Sequence, residues 1–306
     1  MNCLVAIVGP TATGKSQLAL HLAQKFSGEI VSADSRQVYR YMDIGTAKPS
    51  RTEMSLVPHH LIDIINPGED FSLAQYQRLA YRKITDIQKR HTFPLLVGGS
   101  GLYVWTVIEG WQIPEVAPDL EFRQRLEGRA AQGEADQLYQ ELTQIAPSAA
   151  QRIDRRNVRR VIRALEVAQS GTARPNLTKV APPFQTLIIG LTAERKELYR
   201  RIDERVDEMI EQGLVDEVKS LLGRGYKQDL PSMSGIGYKQ ICLYRKGDLT
   251  LAEATKQIKT ETHRLVRRQY NWFRLKDERI KWFDIQDGKA ESEIEALVAG
   301  FISDKI

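Results

Sequence analysis

Cysteine is scarce in this chain of 306 residues, which contains only Cys3 and Cys242. The two lie far apart in the sequence, and neither has histidine partners at the spacing of a zinc site. This scarcity argues against a disulfide framework and against a structural zinc site. We expect two reduced cysteines, as is usual for a cytoplasmic protein.

Long apolar runs are also absent, since no stretch approaches the roughly 20 residues that a membrane-spanning helix needs. The chain enters an apolar strand directly, without the pattern of a signal peptide. Hydrophobic residues make up 42% and charged residues 27% of the chain, which is ordinary for a globular protein. We therefore expect a cytoplasmic protein with no membrane partner, large enough for one α/β core and a smaller module.

The net charge of +5 is unevenly distributed. Residues 1–150 contain 14 basic and 16 acidic side chains, whereas residues 151–306 contain 30 and 23, a net +7. This asymmetry predicts a polyanionic partner for the C-terminal half. Solvated basic helices would produce the same asymmetry, so charge alone leaves both explanations open.

A glycine-rich octapeptide follows the apolar run from Leu4 to Val8 and precedes an amphipathic segment. The order of strand, loop and helix, with the spacing G-x-x-x-x-G-K-S, predicts a phosphate-binding P-loop. Backbone N–H groups and the helix N-terminus would wrap a di- or triphosphate. Lys15 would reach an outer phosphate and Ser16 would hold Mg²⁺. The predicted diphosphate-binding residues are Gly9, Pro10, Thr11, Ala12, Thr13, Gly14, Lys15 and Ser16.

The rest of the pattern predicts an α/β fold, a doubly wound parallel sheet around the P-loop, because strands alternate with helices. We predict strands at 29–33, 60–65, 94–97 and 184–191, and helices at 72–90, 194–223 and 250–276. Prolines at 114–118 and 175–183 interrupt the alternation, and residues 119–170 have a helical pattern. We therefore predict a catalytic core, 1–113 and 184–306, with an inserted all-helical domain at 114–183.

Two polar segments follow predicted strands, at the sheet edge where such folds bind ligands. Asp34 could hold Mg²⁺ or act as a general base, or simply cap the next helix. The strand at 95–97 ends in Gly98-Gly99-Ser100 rather than in the acidic residue of an NTP-hydrolysing enzyme. Two glycines and a hydroxyl favour close approach to a ligand, and the alternative is a tight turn with a capping serine.

Basic residues are concentrated in two predicted helices. Arg156, Arg159, Arg160 and Arg163 have the spacing of one helical face. The second helix, around 256–274, is rich in basic residues and has Tyr270, Trp272 and Phe273 near its end, a combination that suits phosphates and an unstacked base. Together the two clusters favour nucleic-acid binding over merely solvated faces. The pair His59 and His60 lacks a third metal ligand, and we expect a structural or hydrogen-bonding role for it.

Several long motifs resemble the tRNA dimethylallyltransferase family of bacterial type, also called tRNA isopentenyltransferases. They are GPTATGKS at 9–16, SADSRQVY at 32–39, MDIGTAKP at 42–49, PHHLID at 58–63, LLVGGSGLY at 95–103, RRVIRALEV at 159–167 and GIGYKQ at 235–240. The resemblance implies transfer of a dimethylallyl group from dimethylallyl diphosphate to the exocyclic amine of adenine at tRNA nucleotide 37. It also implies that Mg²⁺ is required and that diphosphate leaves.

The resemblance assigns roles to individual residues. It implies Asp34 as the base, Lys15 as a catalytic cation at the diphosphate, and Ser100, where many members carry threonine, at the reacting centre or the flipped base. It implies the tRNA anticodon stem-loop as partner, and we expect a monomer. The tRNA contacts implied are Asp34, Ser35, Arg36, Gln37, Ser100, Arg123, Arg159, Arg160, Arg163, Gly237, Lys239, Arg267, Arg268 and Arg274.

Three other functions share part of this pattern. A P-loop kinase of small molecules would explain neither the missing acidic strand end nor the basic helices. An isopentenyltransferase of free adenine nucleotides would share Asp34 and the P-loop but would gain nothing from the arginines. A protein that only binds tRNA would not need Lys15 and Ser16.

Overall fold

The computed structural model describes residues 2–114, 116, 119–171 and 179–303. The chain forms two compact units. One contains the described residues up to Glu109 together with those from Pro182 onward, and the other spans Gly110–Ala181. Within the residues that the structure describes, no helix is long and apolar enough to cross a membrane.

The first unit is built on a six-stranded sheet in the order β3-β2-β4-β1-β5-β6, and every pair of neighbouring strands is parallel. The central strand β1 is completely buried, which explains its uninterrupted run of apolar residues. The parallel α/β sheet predicted from the alternation is therefore confirmed. The strands are β1 Cys3–Val8, β2 Gly28–Ser32, β3 His59–His60, β4 Phe93–Val97, β5 Gln185–Thr192 and β6 Ile280–Asp284.

Helices cover both faces of this sheet in the pattern of a doubly wound fold. Ser72 begins α3 as predicted, because its hydroxyl accepts a hydrogen bond from the N–H of Gln75. A short 3₁₀ turn, Ser232–Ser234, precedes the glycine turn before α11. The helices of the first unit are α1 Lys15–Lys25, α2 Arg51–Leu56, α3 Leu73–Lys89, α4 Gly101–Ile108, α9 Arg195–Glu211, α10 Leu214–Gly223, α11 Tyr238–Lys246, α12 Leu251–Trp272 and α13 Ala290–Ser303.

The described part of the second unit consists mainly of helices, as the pattern of 119–170 predicts. Its core consists of side chains such as Phe122, Leu138 and Leu165, which pack together away from solvent. A short π-helical segment, Ala130–Glu134, contains a kink at Gly133, where φ is 93°. The helices are α5 Leu120–Arg129, α6 Ala135–Ile145, α7 Pro147–Ala150 and α8 Val158–Gln169.

Several predicted elements have different bounds in the structure. The strand expected at 60–65 is only His59–His60, because Leu61 and Asp63 have φ of 63° and 55°, which no strand accommodates. The helix expected over 194–223 is two helices, since Gly213 (φ 101°) lies between α9 and α10. The strand β6 and the helix α13 were not predicted. The two proline-rich breaks, 114–118 and 175–183, lie partly outside the described residues.

Candidate active site

The P-loop connects β1 to α1, and two of its glycines occupy positions that other residues fit poorly. Gly9 has a φ of 135°, and a Cβ there would lie 2.3 Å from the carbonyl oxygen of Leu191. Gly14 has a φ of 76° at the N-cap of α1. A side chain at Gly9 would therefore push β5 away from the loop, and one at Gly14 would strain the start of the helix.

Hydrogen bonds hold the loop in shape. The Thr13 hydroxyl donates to the carbonyl of Pro10 at 2.9 Å, and Lys15 Nζ donates to the same carbonyl at 2.5 Å. The N–H of Thr11 donates to Gln269 Oε1 at 2.9 Å, and Arg205 donates to the Thr11 hydroxyl at 3.2 Å. The loop is thus tied to α9 and α12, which follow it by about 200 residues or more.

Two basic side chains, Lys15 and Arg205, lie close together beside the P-loop. Burial and the neighbouring Arg205 lower the pKa of Lys15 to about 7, while the Asp34 carboxylate opposes the shift. Burial also lowers the pKa of Arg205, again against the effect of Asp34. Burial disfavours both cations despite the nearby carboxylates of Asp34 and Glu208, and an anionic group in the cavity would compensate their charge. The electrostatics therefore favour a bound polyphosphate.

Asp34 lies two residues after the end of β2, and its Oδ1 accepts a hydrogen bond from the N–H of Arg36 at 2.8 Å. Residues after it form turns, and the next helix, α2, begins only at Arg51. The alternative in which Asp34 caps a following helix is therefore wrong. Asp34 lines two cavities, described below.

The segment after β4 approaches the same place. A Cβ at Gly98 would lie 2.2 Å from the carbonyl oxygen of Ala33, so only glycine lets β4 pass β2 this closely. The Ser100 hydroxyl accepts a hydrogen bond from the N–H of Ser35 at 3.0 Å and donates to the Ser35 hydroxyl at 3.2 Å. It makes no capping bond to α4, so the alternative of a capping serine is wrong. Ser100 instead joins the ends of two strands beside Asp34.

The three segments meet because β2, β4 and β1 are adjacent in the sheet and end at the same edge. Two cavities open there. One, of about 310 Å³, is lined by the P-loop, including Lys15 and Ser16. The other, of about 1110 Å³, extends past Ser100 towards α11 and α12. Both are lined by Thr11, Asp34, Thr46, Gly99, Arg205 and Gln269.

Ser16 suits the metal-ligand role predicted for it. It is the second residue of α1 and lines the smaller cavity, and its hydroxyl makes no hydrogen bond to any described residue. The Asp34 carboxylate lines the same cavity. A hydroxyl, a carboxylate and the oxygens of a bound diphosphate are the donors that Mg²⁺ prefers, so the residues present fit this ion.

Several of the first unit's residues expected to contact tRNA lie at the larger cavity, and the others lie elsewhere on that unit. Ser35, Arg36, Gly237, Lys239 and Arg268 line it. Arg36 donates to the carbonyl of Pro231 at 2.9 Å and so supports the turn at 231–234. Lys239, Arg267 and Arg268 are exposed and make no side-chain hydrogen bond or ion pair with the described residues. Gln37 lines the smaller cavity instead, and Arg274 follows the end of α12 in an exposed position.

The aromatic residues of α12 divide between core and surface. Phe273 is buried, and Tyr270 is hydrogen-bonded through its hydroxyl to Thr192 at 2.8 Å. Trp272 is 36% exposed and lines the larger cavity. Of the three, only Trp272 is therefore placed to stack on a base.

Some arginines of the second unit are paired with carboxylates, and others are exposed. Arg123 forms two hydrogen bonds, of 3.0 and 2.8 Å, to the buried carboxylate of Glu166, which Arg163 also contacts. Arg159 and Arg160 are exposed and, with Arg163, line an apolar cleft of about 400 Å³. Arg156 precedes α8 and pairs with Asp154, so its expected place on the face of that helix was wrong.

The two histidines have the hydrogen-bonding role predicted. His60 Nε2 lies 2.6 Å from the carboxylate of Glu29, and His59 Nδ1 lies 2.8 Å from the carbonyl of Val57. Arg205 and Gln269, by contrast, were not predicted. They lie on amphipathic helices that follow the P-loop by about 190 and 260 residues, and no local spacing indicates that they reach it.

Comparison with known proteins identifies the family. A family model described as IPP transferase matches residues 37–276, and one described as Isopentenyl transferase matches residues 2–66. A tRNA dimethylallyltransferase of Dehalococcoides mccartyi is 48% identical over 303 residues, covering 98% of this chain and 93% of the relative. One of Roseiflexus castenholzii is 53% identical over 274 residues, covering 89% of each.

Solved structures agree with the sequence matches. The full-length tRNA isopentenylpyrophosphate transferase of Bacillus halodurans is 44% identical, with a TM-score of 0.74 over 100% of this chain and 98% of that one. A eukaryotic dimethylallyltransferase acting on tRNA is 26% identical, with a TM-score of 0.85 over 99% of this chain and 80% of that one. These matches show that the chain belongs to the tRNA dimethylallyltransferase family.

Proposed function

We propose that this protein transfers a dimethylallyl group from dimethylallyl diphosphate to the exocyclic amine of adenine at tRNA nucleotide 37. Membership of the family makes the chain a prenyltransferase that acts on tRNA. One observation carries the finer assignment. Asp34 lies where the P-loop cavity and the larger cavity share a wall, so one carboxylate faces both a bound diphosphate ester and a base that enters from the other side.

The donor binds with its diphosphate in the P-loop cavity. The N-terminus of α1 and the backbone N–H groups of the loop face the phosphates. Lys15 and Arg205 neutralise the charge that grows on the diphosphate as the bond between the prenyl carbon and oxygen breaks. The low pKa of Lys15, about 7 when the cavity holds no anion, rises again once a phosphate replaces its lost hydration.

The acceptor adenine enters the larger cavity. Its amine is a weak nucleophile, because the lone pair is delocalised into the ring. The new carbon–nitrogen bond forms as the carbon–oxygen bond breaks, and Asp34 accepts the proton that the nitrogen loses. Ser100, held by Ser35 next to Asp34, lies beside the path of the base. An adenine in a loop must leave its stack to reach this depth, as the targets of other base-modifying enzymes do.

Mg²⁺ is the cofactor we propose, held by the Ser16 hydroxyl and the phosphate oxygens. When bound, it would add positive charge at the leaving diphosphate. The exposed basic residues at 239, 267 and 268 suit the phosphates of the anticodon stem-loop. Trp272, which lines the larger cavity together with Lys239 and Arg268, suits an unstacked base. We propose that the helical unit contributes further contacts through Arg159 and Arg160, and that the enzyme acts as a monomer in the cytoplasm, where its tRNA substrate is found.

One assay separates this function from the alternatives. The protein is incubated with Mg²⁺, labelled dimethylallyl diphosphate and either unmodified tRNA or AMP, and the nucleosides are analysed by mass spectrometry. We expect prenylated adenosine from nucleotide 37 of tRNA and none from AMP. Product from AMP alone would identify a free-adenylate isopentenyltransferase. Absence of prenylated product from both tRNA and AMP would exclude both transferases and favour the kinase.

A further inference from the structure

Glu217, in the first turn of α10, is the centre of a hydrogen-bond cluster outside the residues assigned above. Its Oε2 accepts hydrogen bonds from the N–H groups of Asp43 and Ile44, at 2.8 and 2.7 Å. Its Oε1 accepts from the N–H of Gly45 at 3.1 Å and from the hydroxyl of Tyr238 at 2.6 Å. One carboxylate therefore receives four hydrogen bonds from two separate segments of the chain.

Three successive backbone N–H groups that converge on one anion form a strong binding arrangement. The segment that supplies them, residues 42–47, consists of turns and forms no strand or helix. These three N–H groups donate to no strand or helix backbone, and the Glu217 carboxylate is their hydrogen-bond acceptor. The conformation of the segment thus depends on a side chain from another helix.

Tyr238 completes the arrangement from α11. Its ring packs on Gly45 so closely that a Cβ at that glycine would lie 2.6 Å from the ring. Burial, together with the Glu217 carboxylate, raises the pKa of Tyr238 far above its usual range, so its hydroxyl remains a donor. The segment 42–47 is therefore held by a charged acceptor and by a ring that leaves no free space at Gly45.

This segment forms part of the reaction chamber. Thr46 lines both cavities, Ala47 lines the P-loop cavity, and Gly45 lines the larger one. From the other side, the Gln37 amide donates to the carbonyls of Thr46 and Ala47, at 3.4 and 3.2 Å. Thr46 is thus fixed between Gln37 and the Glu217 cluster, on the walls of the same cavities as Asp34.

We propose that Glu217 is a positioning residue for prenyl transfer, which fixes residues 43–47 so that Thr46 and its neighbours keep the prenyl carbon aligned with the adenine amine. Glu217 lines neither cavity, so it acts through the segment and not on the substrates. The inference rests on the proposed function, because the alignment concerns the donor and acceptor assigned there. Its physical basis is that a misplacement of about 1 Å at a reacting centre can cost about 100-fold in rate.

The test uses the variant Glu217→Gln, which keeps the size of the side chain but has one acceptor oxygen where the carboxylate has two. Its NH₂ group would face backbone N–H donors in either orientation, so at least one backbone N–H of the segment loses its acceptor. Asp216→Asn is the matched control, since it removes the same charge from an exposed neighbour in the same helical turn. Tyr238→Phe removes one hydrogen bond to Glu217 and keeps the ring against Gly45.

Two quantities are measured below the melting temperature of each variant. Single-turnover rates with saturating tRNA and donor report the chemical step, and filter binding reports the dissociation constant for tRNA. We expect Glu217→Gln to slow the chemical step at least tenfold, on the order of the cost of a misaligned reactant, and to change tRNA affinity less than about threefold. Tyr238→Phe should have a smaller effect in the same direction, and Asp216→Asn none. Amide hydrogen exchange at residues 43–45 should be faster in Glu217→Gln.

The inference is overturned if the chemical step of Glu217→Gln stays within twofold of the wild type. A lower melting temperature with normal kinetics would show that Glu217 has only a structural role. Unchanged hydrogen exchange at 43–45 would also overturn it. Failure of the proposed function has a different signature, because the wild type itself would then form no prenylated tRNA.

Discussion

Gln269 of α12 accepts a hydrogen bond from the N–H of Thr11 in the P-loop, at 2.9 Å. Through its other amide atom it donates to the carbonyl of Gly99, at 3.1 Å. The side chain is only 7% exposed and lies where the two cavities meet. The helix that carries Arg267 and Arg268 is thus joined directly to the loop that we propose holds the diphosphate, so binding at one site is expected to affect the other.

The first prediction concerns this connection. Gln269→Ala leaves the N–H of Thr11 and the carbonyl of Gly99, both partly buried, without this partner, which should lower the free energy of unfolding by about 1 kcal/mol. It should also raise the KM for the prenyl donor, because Thr11 is no longer held in place. Thermal denaturation and steady-state kinetics measure the two effects. Asn271→Ala, at an exposed amide residue of the same helix that lines neither cavity, is the control and should change neither.

The second prediction follows from the pKa of Lys15, which burial and Arg205 lower to about 7. A diphosphate binds the protonated lysine and raises its pKa again, so binding takes up a proton when the free side chain is neutral. Affinity for the donor should therefore fall as the pH rises above 7, by up to about tenfold per unit. The second ionisation of a phosphate, near pH 6, is complete in this range.

Calorimetry in buffers of different ionisation enthalpy measures this proton uptake directly. At pH 8 we expect close to one proton taken up per donor bound by the wild type. Lys15→Met should bind the donor more weakly, turn over more slowly, and take up no proton at this pH. Equal uptake in both proteins would assign the proton to another group.

The third prediction tests the general base. Asp34→Asn keeps an oxygen that accepts the hydrogen bond from the N–H of Arg36, so the turn after β2 should be preserved. The amide accepts no proton from the adenine amine, and loss of a general base typically costs ~10²–10⁴-fold in rate. Single-turnover kinetics should show this loss while filter binding shows unchanged affinity for tRNA. A rate reduced less than threefold would mean that another group takes the proton.

The parts of the site that could be predicted are those encoded by neighbouring residues. The spacing of the P-loop specifies its glycines, Lys15 and Ser16, and β2 places Asp34 at the correct edge of the sheet because parallel strands end together. Gly98 could be singled out since a glycine pair after a buried strand is unusual. Each of these depends on a local pattern of at most about ten residues.

The parts that were missed depend on how distant helices dock. Arg205, Glu217 and Gln269 lie on amphipathic helices with many similar polar residues, and sequence spacing does not show which of them point inward. The prediction of one helix over 194–223 was wrong, because a single glycine is compatible with a helix at a cost of about 1 kcal/mol. Only the φ of 101° at Gly213 shows that the helix is interrupted there. The strand at 280–284 was missed because it is short and contains charged residues.

The fourth prediction concerns Glu166, the buried partner of Arg123 and Arg163. Burial alone would raise its pKa, but hydrogen bonds from both guanidinium groups and from the N–H of Asp119 outweigh it, so the pKa lies below 4.5. A carboxyl group whose pKa is lowered on folding stabilises the protein at pH values above its unfolded pKa of about 4.5. This stabilisation is lost as the pH falls through the lower pKa of the folded state.

Arg123→Met should therefore destabilise the protein by about 1–3 kcal/mol at pH 7. The difference from the wild type should shrink as the pH is lowered below 4.5, since protonation of Glu166 removes the ion pair that the wild type has and the variant lacks. Urea denaturation at pH 7 and pH 3.5 measures the difference in the free energy of unfolding between the two proteins. A difference that is independent of pH would show that the ion pair is not what Arg123 contributes.

The last prediction assigns the exposed arginines to tRNA. Replacing both Arg267 and Arg268 with glutamine should weaken tRNA binding, and the slope of log affinity against log salt should become shallower. The expected change is about 0.7–0.9 for each phosphate that the protein no longer neutralises. The dissociation constant for the prenyl donor should stay the same, because neither residue lines the P-loop cavity.

Arg200→Gln is the control, since this exposed arginine is already paired with Glu197 and Glu204 on α9. It should leave both the affinity and the salt slope unchanged. Arg159 and Arg160 of the helical unit, replaced together, should behave like Arg267 and Arg268 if that unit contacts the anticodon stem-loop. Filter-binding titrations from low to high salt measure the tRNA affinity and its salt dependence in each protein. Identical slopes in all four proteins would show that these faces are merely solvated, and the tRNA would then have to bind through the walls of the larger cavity.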